Sequence, residues 1–177
     1  MWTKKNKKMR MSDIIMVNDN ISGDNYNEIR EHSIFIFNVI IKVQLFGVIL
    51  LALKFIPEFG ILKGVWYSIF HTISAFANAG FDIIGNTSMF AFKNDIYTQL
   101  ILTILMVLGS IGILAIEDLK KNKFSSFNKL RLQTKIIIVY SAFLIVVPTI
   151  ILKILEPQIT TMNSLFMVAS TRSTGFS

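Results

Sequence analysis

The sequence predicts an all-α integral membrane protein. It would be built from repeated helix–half-helix–loop–helix units, one unit complete and one half. Three observations predict this. Hydrophobic residues make up 53% of the 177 and charged residues only 16%, where a water-soluble domain carries about a quarter charged. Three apolar stretches, Ile34–Ile56, Ile96–Ile116 and Ile136–Leu155, each run for the roughly 20 residues that cross about 30 Å of hydrocarbon. A Gly-Phe pair follows the first and the third stretch, as Gly80-Phe81 and Gly175-Phe176.

The chain opens on a basic run, Lys4, Lys5, Lys7, Lys8 and Arg10, with no acid among them. No apolar segment of signal-peptide type follows directly. The first span, 34–56, contains Lys42 and Gln44. Lys42 either snorkels to the interface or faces a protein or water-filled interior. The second span is 96–116. A loop, 117–135, then sets Lys120, Lys121, Lys123, Lys129, Arg131 and Lys135 against Glu117 and Asp118. The third span, 136–155, should bend at Pro148. Basic loops flank membrane spans on the cytoplasmic side, so the net charge of +7 reports topology and calls for no nucleic-acid partner.

Parity then constrains the middle. Two cytoplasmic flanks require an even number of crossings between them, and 34–56 with 96–116 already supply two. The apolar stretch between them must enter from outside and return, with the loops before and after it extracellular. Val65, Ile69, Ile73 and Phe76 recur at helical spacing, which predicts a half-helix over 63–77. The next residues, Asn78, Ala79, Gly80, Phe81 and Asp82, are small or polar and include a glycine. Irregular backbone at membrane depth survives only when buried in protein or facing a water-filled path. Such backbone presents carbonyl oxygens to that path, and the negative end of the half-helix points the same way. Both favour a cation stripped of water, so 78–82 reads as a piece of ion filter. Asp82, at the outer mouth, either concentrates cations or caps a turn.

A shift of 95 residues places Gly80 on Gly175, "FANAGFD" on "TRSTGFS", and the first span near the third. A second half-helix is expected over 161–171 and a second filter over 173–177, with Ser173, Thr174, Gly175 and Phe176. Arg172 would repel a cation on the axis, so it should point away, toward a helix end or an acid. Gly109 and Gly112 are expected to allow close helix packing.

The unit order, with "SIFHTISAFANAGFD" and "STRSTGFS", resembles the Trk/Ktr/HKT potassium transporters, most closely the bacterial Ktr-type (TrkH-like) membrane subunit. The resemblance implies that residues 1–33 are a cytoplasmic link, 34–116 a complete span–pore-helix–span (M1-P-M2) unit and 136–177 the first half of another. Each filter of the family carries a characteristic glycine, which maps onto Gly80 and Gly175. "LGSIGIL" resembles the family's glycine-containing second helix. The resemblance also implies a multi-pass protein of the cell membrane that takes up K+ through backbone carbonyls. Na+ is a candidate coupling ion, and no covalent cofactor is implied. The expected full-length form is a homodimer in the lipid bilayer, with a cytoplasmic nucleotide-binding regulatory subunit. The chain reads as a segment of such a protein.

Other classes have less support. There is no cysteine, hence no thiol chemistry. No paired carboxylates, HExxH, GxSxG or P-loop point to an enzyme. His32 and His71 lack a metal spacing, and His71 is expected to pack or hydrogen-bond within its half-helix. A membrane-embedded enzyme and a non-conducting scaffold derived from a transporter stay open as alternatives.

Overall fold

A computed structural model describes residues 11–84, 92, 95–121, 127 and 130–175. Among these, six helices follow in order: α1 (Met11–Phe59), α2 (Ile61–Phe76), α3 (Ile96–Ile111), α4 (Ile113–Lys121), α5 (Leu132–Leu155) and α6 (Thr161–Ser173). The described residues contain no strand. Residues 1–40 form one compact unit and residues 41–177 another. The first is described as the opening part of α1. The second holds everything below.

Two helical segments, Ser33–Phe59 and Leu132–Leu155, are long and apolar enough to cross a membrane. Helix extends back from the first of them to Met11, into the region expected as a link. No proline interrupts 11–33. Pro57 and Gly60 mark where α1 stops. Helix α5 begins at Leu132, four residues before the expected span, and continues through Pro148. There Thr149 Oγ1 donates to the Ile145 carbonyl at 2.6 Å. Lys153 reaches across the following turn to the carbonyls of Pro157 and Ile159. Thr160 caps α6, its side chain accepting from the Asn163 amide.

The stretch expected as one span, 96–116, is two helices. The break falls at Gly112, with φ 84 and ψ 145, a backbone region that essentially only glycine enters. The expected packing role holds for Gly109 but not for Gly112. A Cβ at Gly109 would lie 1.9 Å from the Phe76 carbonyl oxygen, whereas one at Gly112 would meet nothing within 4 Å. Gly112 serves the chain's direction. Alone, the 16 residues of α3 reach only about 24 Å. The loop expected from 117 likewise begins as helix α4. Its Glu117 and Asp118 are buried, and Asp118 Oδ2 accepts the Arg131 amide at 2.8 Å.

Helix α3 is central. It packs against α2 and α6, and α6 packs in turn against α5. Ile101, Leu102, Leu105 and Met106 of α3 form the core with Leu51 and Phe55 of α1, Ala75, Phe92 and Ala169. The helix faces are inverted relative to a protein in water. Helix α2 turns Ser68, His71, Thr72 and Ser74 inward and leaves Ile61, Leu62, Trp66 and Ile73 exposed. Helix α5 buries Thr134, Ser141 and Thr149 while Ile136, Val139, Phe143, Ile150 and Ile154 face out. Apolar surface on this scale matches an apolar surrounding, and small and polar residues at helix contacts are the pattern of packing inside lipid.

Candidate functional site

The turns that follow α2 and α6 lie side by side. Helix α2 closes with the Asn78 amide on the Ala75 carbonyl and the Ala79 amide on the Ser74 carbonyl, at 3.2 and 2.9 Å. This is a Schellman closure, and Asn78 takes the left-handed position with φ 54. Asparagine tolerates that conformation better than most residues. Helix α6 ends on Ser173, one residue into the expected filter, and the Ser173 hydroxyl donates back to the Ala169 carbonyl. The Thr174 and Gly175 amides both donate to the Ser170 carbonyl, at 2.8 and 2.7 Å.

Gly80 and Gly175 have nearly the same positive φ, 73 and 74. They also meet. A Cβ at Gly80 would sit 1.9 Å from the Thr174 carbonyl oxygen and 3.5 Å from the Gly175 carbonyl carbon. Glycine is therefore required at 80 twice over, by its backbone angle and by the main chain beside it. Among the described residues, no hydrogen bond ends on the carbonyl oxygens of Asn78, Ala79 or Gly80. Phe81 differs, because its carbonyl accepts from Ser74 Oγ at 2.8 Å. Phe176 lies outside the described residues.

Asp82 folds inward. Its Oδ1 is 2.9 Å from His71 Nε2 and accepts the Ile84 amide at 2.7 Å. The turn-capping alternative is thus realised, and the carboxylate faces a fully buried imidazole. His71 packs and hydrogen-bonds as expected, with Nδ1 donating to the Tyr67 carbonyl at 2.7 Å. Arg172 reaches α5, where Nη2 donates to Ser141 Oγ at 2.8 Å and Nη1 to the Ser141 carbonyl at 3.3 Å. No acid is involved in those two bonds. Lys42, with Val43, Phe46 and Gly47, lines an apolar cleft between α1 and α3.

Sequence reasoning missed three polar contacts. Ser74 is one. A second is Gln99 of α3, buried, whose Nε2 donates to Asn163 Oδ1 of α6 at 2.6 Å and to the Phe92 carbonyl at 2.9 Å. The third is Asp95, which accepts from Thr98 at 2.6 Å and pairs with Lys54 at 3.3 Å. A polar residue inside an apolar stretch is the signal that marks Gln99.

Comparison with known proteins gives a consistent result. A family model described as TrkH, cation transport protein, matches residues 1–177. The chain is 28% identical to the potassium/sodium uptake protein NtpJ of Enterococcus hirae over 96% of its length. It is 34% identical to the Ktr system potassium uptake protein B of Vibrio alginolyticus over 73% of its length. The corresponding protein B of Bacillus subtilis is 30% identical over 70%. The matches cover only 39%, 31% and 26% of those three proteins. With the family matched from end to end, the chain belongs to the TrkH family of cation transport proteins.

Proposed function

We propose that this chain forms part of the ion path of a potassium-uptake transporter. Backbone carbonyls of Asn78, Ala79, Gly80 and Phe81 would make one filter segment, and those of Ser173, Thr174, Gly175 and Phe176 another. The observation that carries the reading is the meeting of the Gly80 and Thr174 backbones at the ends of two short helices. K+ is a large, weakly hydrated cation whose water shell a ring of carbonyls can replace. Residues separated by 95 positions could contribute to one such ring only if the two turns come together, as these do. The names of the relatives, potassium uptake proteins, agree.

In this reading, 34–116 is one complete span–pore-helix–span unit and 136–177 opens the next. The protein is a multi-pass protein of the cell membrane, with its basic loops cytoplasmic and its pore loops outside. The name of the Enterococcus relative, potassium/sodium uptake protein, makes Na+ the candidate second ion. Relatives described as belonging to a Ktr system fit a homodimer working with a separate cytoplasmic nucleotide-binding subunit.

The test is K+ uptake at limiting K+, with and without competing Na+, in a host lacking its own K+ transport. The complete transporter carrying this segment is expected to restore uptake. Gly80→Ser and Gly175→Ser are each expected to reduce discrimination against Na+ more than membrane abundance. Wild-type discrimination in both variants would refute the filter assignment.

A further inference from the structure

Helix α2 presents two polar side chains one turn apart, His71 and Ser74, to the chain running back past them. Both are buried. Ser74 holds the Phe81 carbonyl at 2.8 Å, and His71 Nε2 meets Asp82 Oδ1 at 2.9 Å. Consecutive residues of the turn are therefore tied to residues at i and i+3 on one helix face.

Hydrogen bonds hold both nitrogens of the His71 ring. A carbonyl only accepts, so Nδ1, 2.7 Å from the Tyr67 carbonyl, carries hydrogen. Nε2 and Oδ1 then share one proton. The ring is also clamped. Phe55, itself fully buried, packs edge-on at 5.9 Å, and Tyr67 does so at 6.3 Å. The same Asp82 oxygen accepts the Ile84 amide and sets the direction in which the chain leaves.

We propose that His71 and Asp82 are positioning residues of the Gly80 turn, and that discrimination of K+ from Na+ depends on the hydrogen bond between them and not on the charge of Asp82. This rests on the filter reading above. Carbonyl filters discriminate through the number and placement of their oxygens, and a glycine-containing turn is soft by itself. The Schellman closure anchors this turn at Asn78 and Ala79. The Ser74 and His71 bonds anchor its other end to α2, at Phe81 and Asp82. With those bonds in place, the carbonyls between the anchors keep one depth. Neither His71 nor Asp82 touches the ion.

The test uses the complete transporter carrying this segment in a K+-transport-deficient host. It reads the K+/Na+ uptake ratio alongside membrane abundance. His71→Ala and Asp82→Ala are expected to lower the ratio roughly fivefold, the scale of one hydrogen bond. Asp82→Asn removes the charge and can keep the His71 bond by donating an N–H to Nε2, but the atom that does so no longer accepts the Ile84 amide. It is expected to lie between wild type and Asp82→Ala, about twofold below wild type. If Asp82 acted as a charge at the mouth, Asp82→Asn would match Asp82→Ala and raise the KM for K+, most at low ionic strength; that result overturns the proposal. So does an unchanged ratio in His71→Ala. If the alanine variants fail to accumulate, His71→Phe keeps the ring packing against Phe55 and Tyr67 but not the bond to Asp82, and a wild-type ratio there overturns the proposal too. A ratio lost in Gly80→Ser but kept in His71→Ala and Asp82→Ala refutes the strut and spares the filter. A ratio kept in Gly80→Ser refutes the filter itself.

Discussion

The α-carbon of Gly109 faces the last carbonyl of α2 so closely that a methyl group there would lie 1.9 Å from the Phe76 oxygen. Helix α3 thus touches α2 at the point where α2 gives way to the Gly80 turn. Gly109→Ala must push the two helices apart or tilt that carbonyl. Overpacking of this kind costs about 1–3 kcal/mol. We expect a lower Tm in detergent and reduced K+ uptake together, because the displaced backbone leads directly into the turn. Wild-type Tm would show that α3 can withdraw freely.

Gly112→Ala should behave differently. Nothing lies within 4 Å of the added methyl, and the penalty comes from φ 84 alone. We expect a loss of about 1–3 kcal/mol, or a straightened α3–α4 junction, with the K+/Na+ ratio unchanged. Thermal unfolding and the uptake ratio, measured on the same preparations, separate this variant from Gly109→Ala.

Gln99 and Asn163 join the two halves of the second compact unit across α3 and α6. Truncating Gln99 to alanine removes the bonds to Asn163 and to the Phe92 carbonyl, and should cost about 1–3 kcal/mol. A double-mutant cycle with Asn163→Ala is expected to give a coupling of about 0.6 to 1.7 kcal/mol, the range found for hydrogen bonds between helices in membranes. Additive single effects would mean that the 2.6 Å contact contributes no net stability.

The re-entrant topology predicts that Glu58 and Lys93 are both extracellular. Cysteines at these two positions should react with a membrane-impermeant reagent on intact cells. Labelling of only one would place a full crossing between them. Replacing Lys120, Lys121, Lys123 and Arg131 with glutamine should invert part of the population, seen as a mixed signal from a C-terminal reporter. A uniform signal would assign orientation to the upstream segments.

What could be read from the sequence was local. The span ends near Ile34 and Leu155 follow from the length of apolar runs, the first short helix from helical spacing, and the second from the 95-residue repeat. The two glycines could be singled out because each opens a Gly-Phe pair some 20–24 residues after a span. Contacts set by how the chain returns were hidden. His71 and Asp82 are eleven residues apart, and their pairing depends on the left-handed step at Asn78. Nothing in the sequence signals that step, since asparagine sits in many conformations. The break at Gly112 was hidden for a related reason, because a glycine in an apolar helix reads equally as a packing notch. Arg172 was expected to reach a helix end or an acid and bonds instead to Ser141, in the middle of α5 and 31 residues away in sequence.

The inverted face of α2 changes what a mutational scan of this protein would look like. In most proteins, tolerance to substitution rises with polarity, because polar positions are surface positions. Along α2 the two are decoupled. Leu62 and Trp66 point outward and should accept almost any greasy replacement. Ser68 and Thr72, residues a stabilising redesign would first exchange for leucine, fill the interior, where the added carbons have nowhere to go. A scoring scheme trained on water-soluble domains would rank these positions backwards.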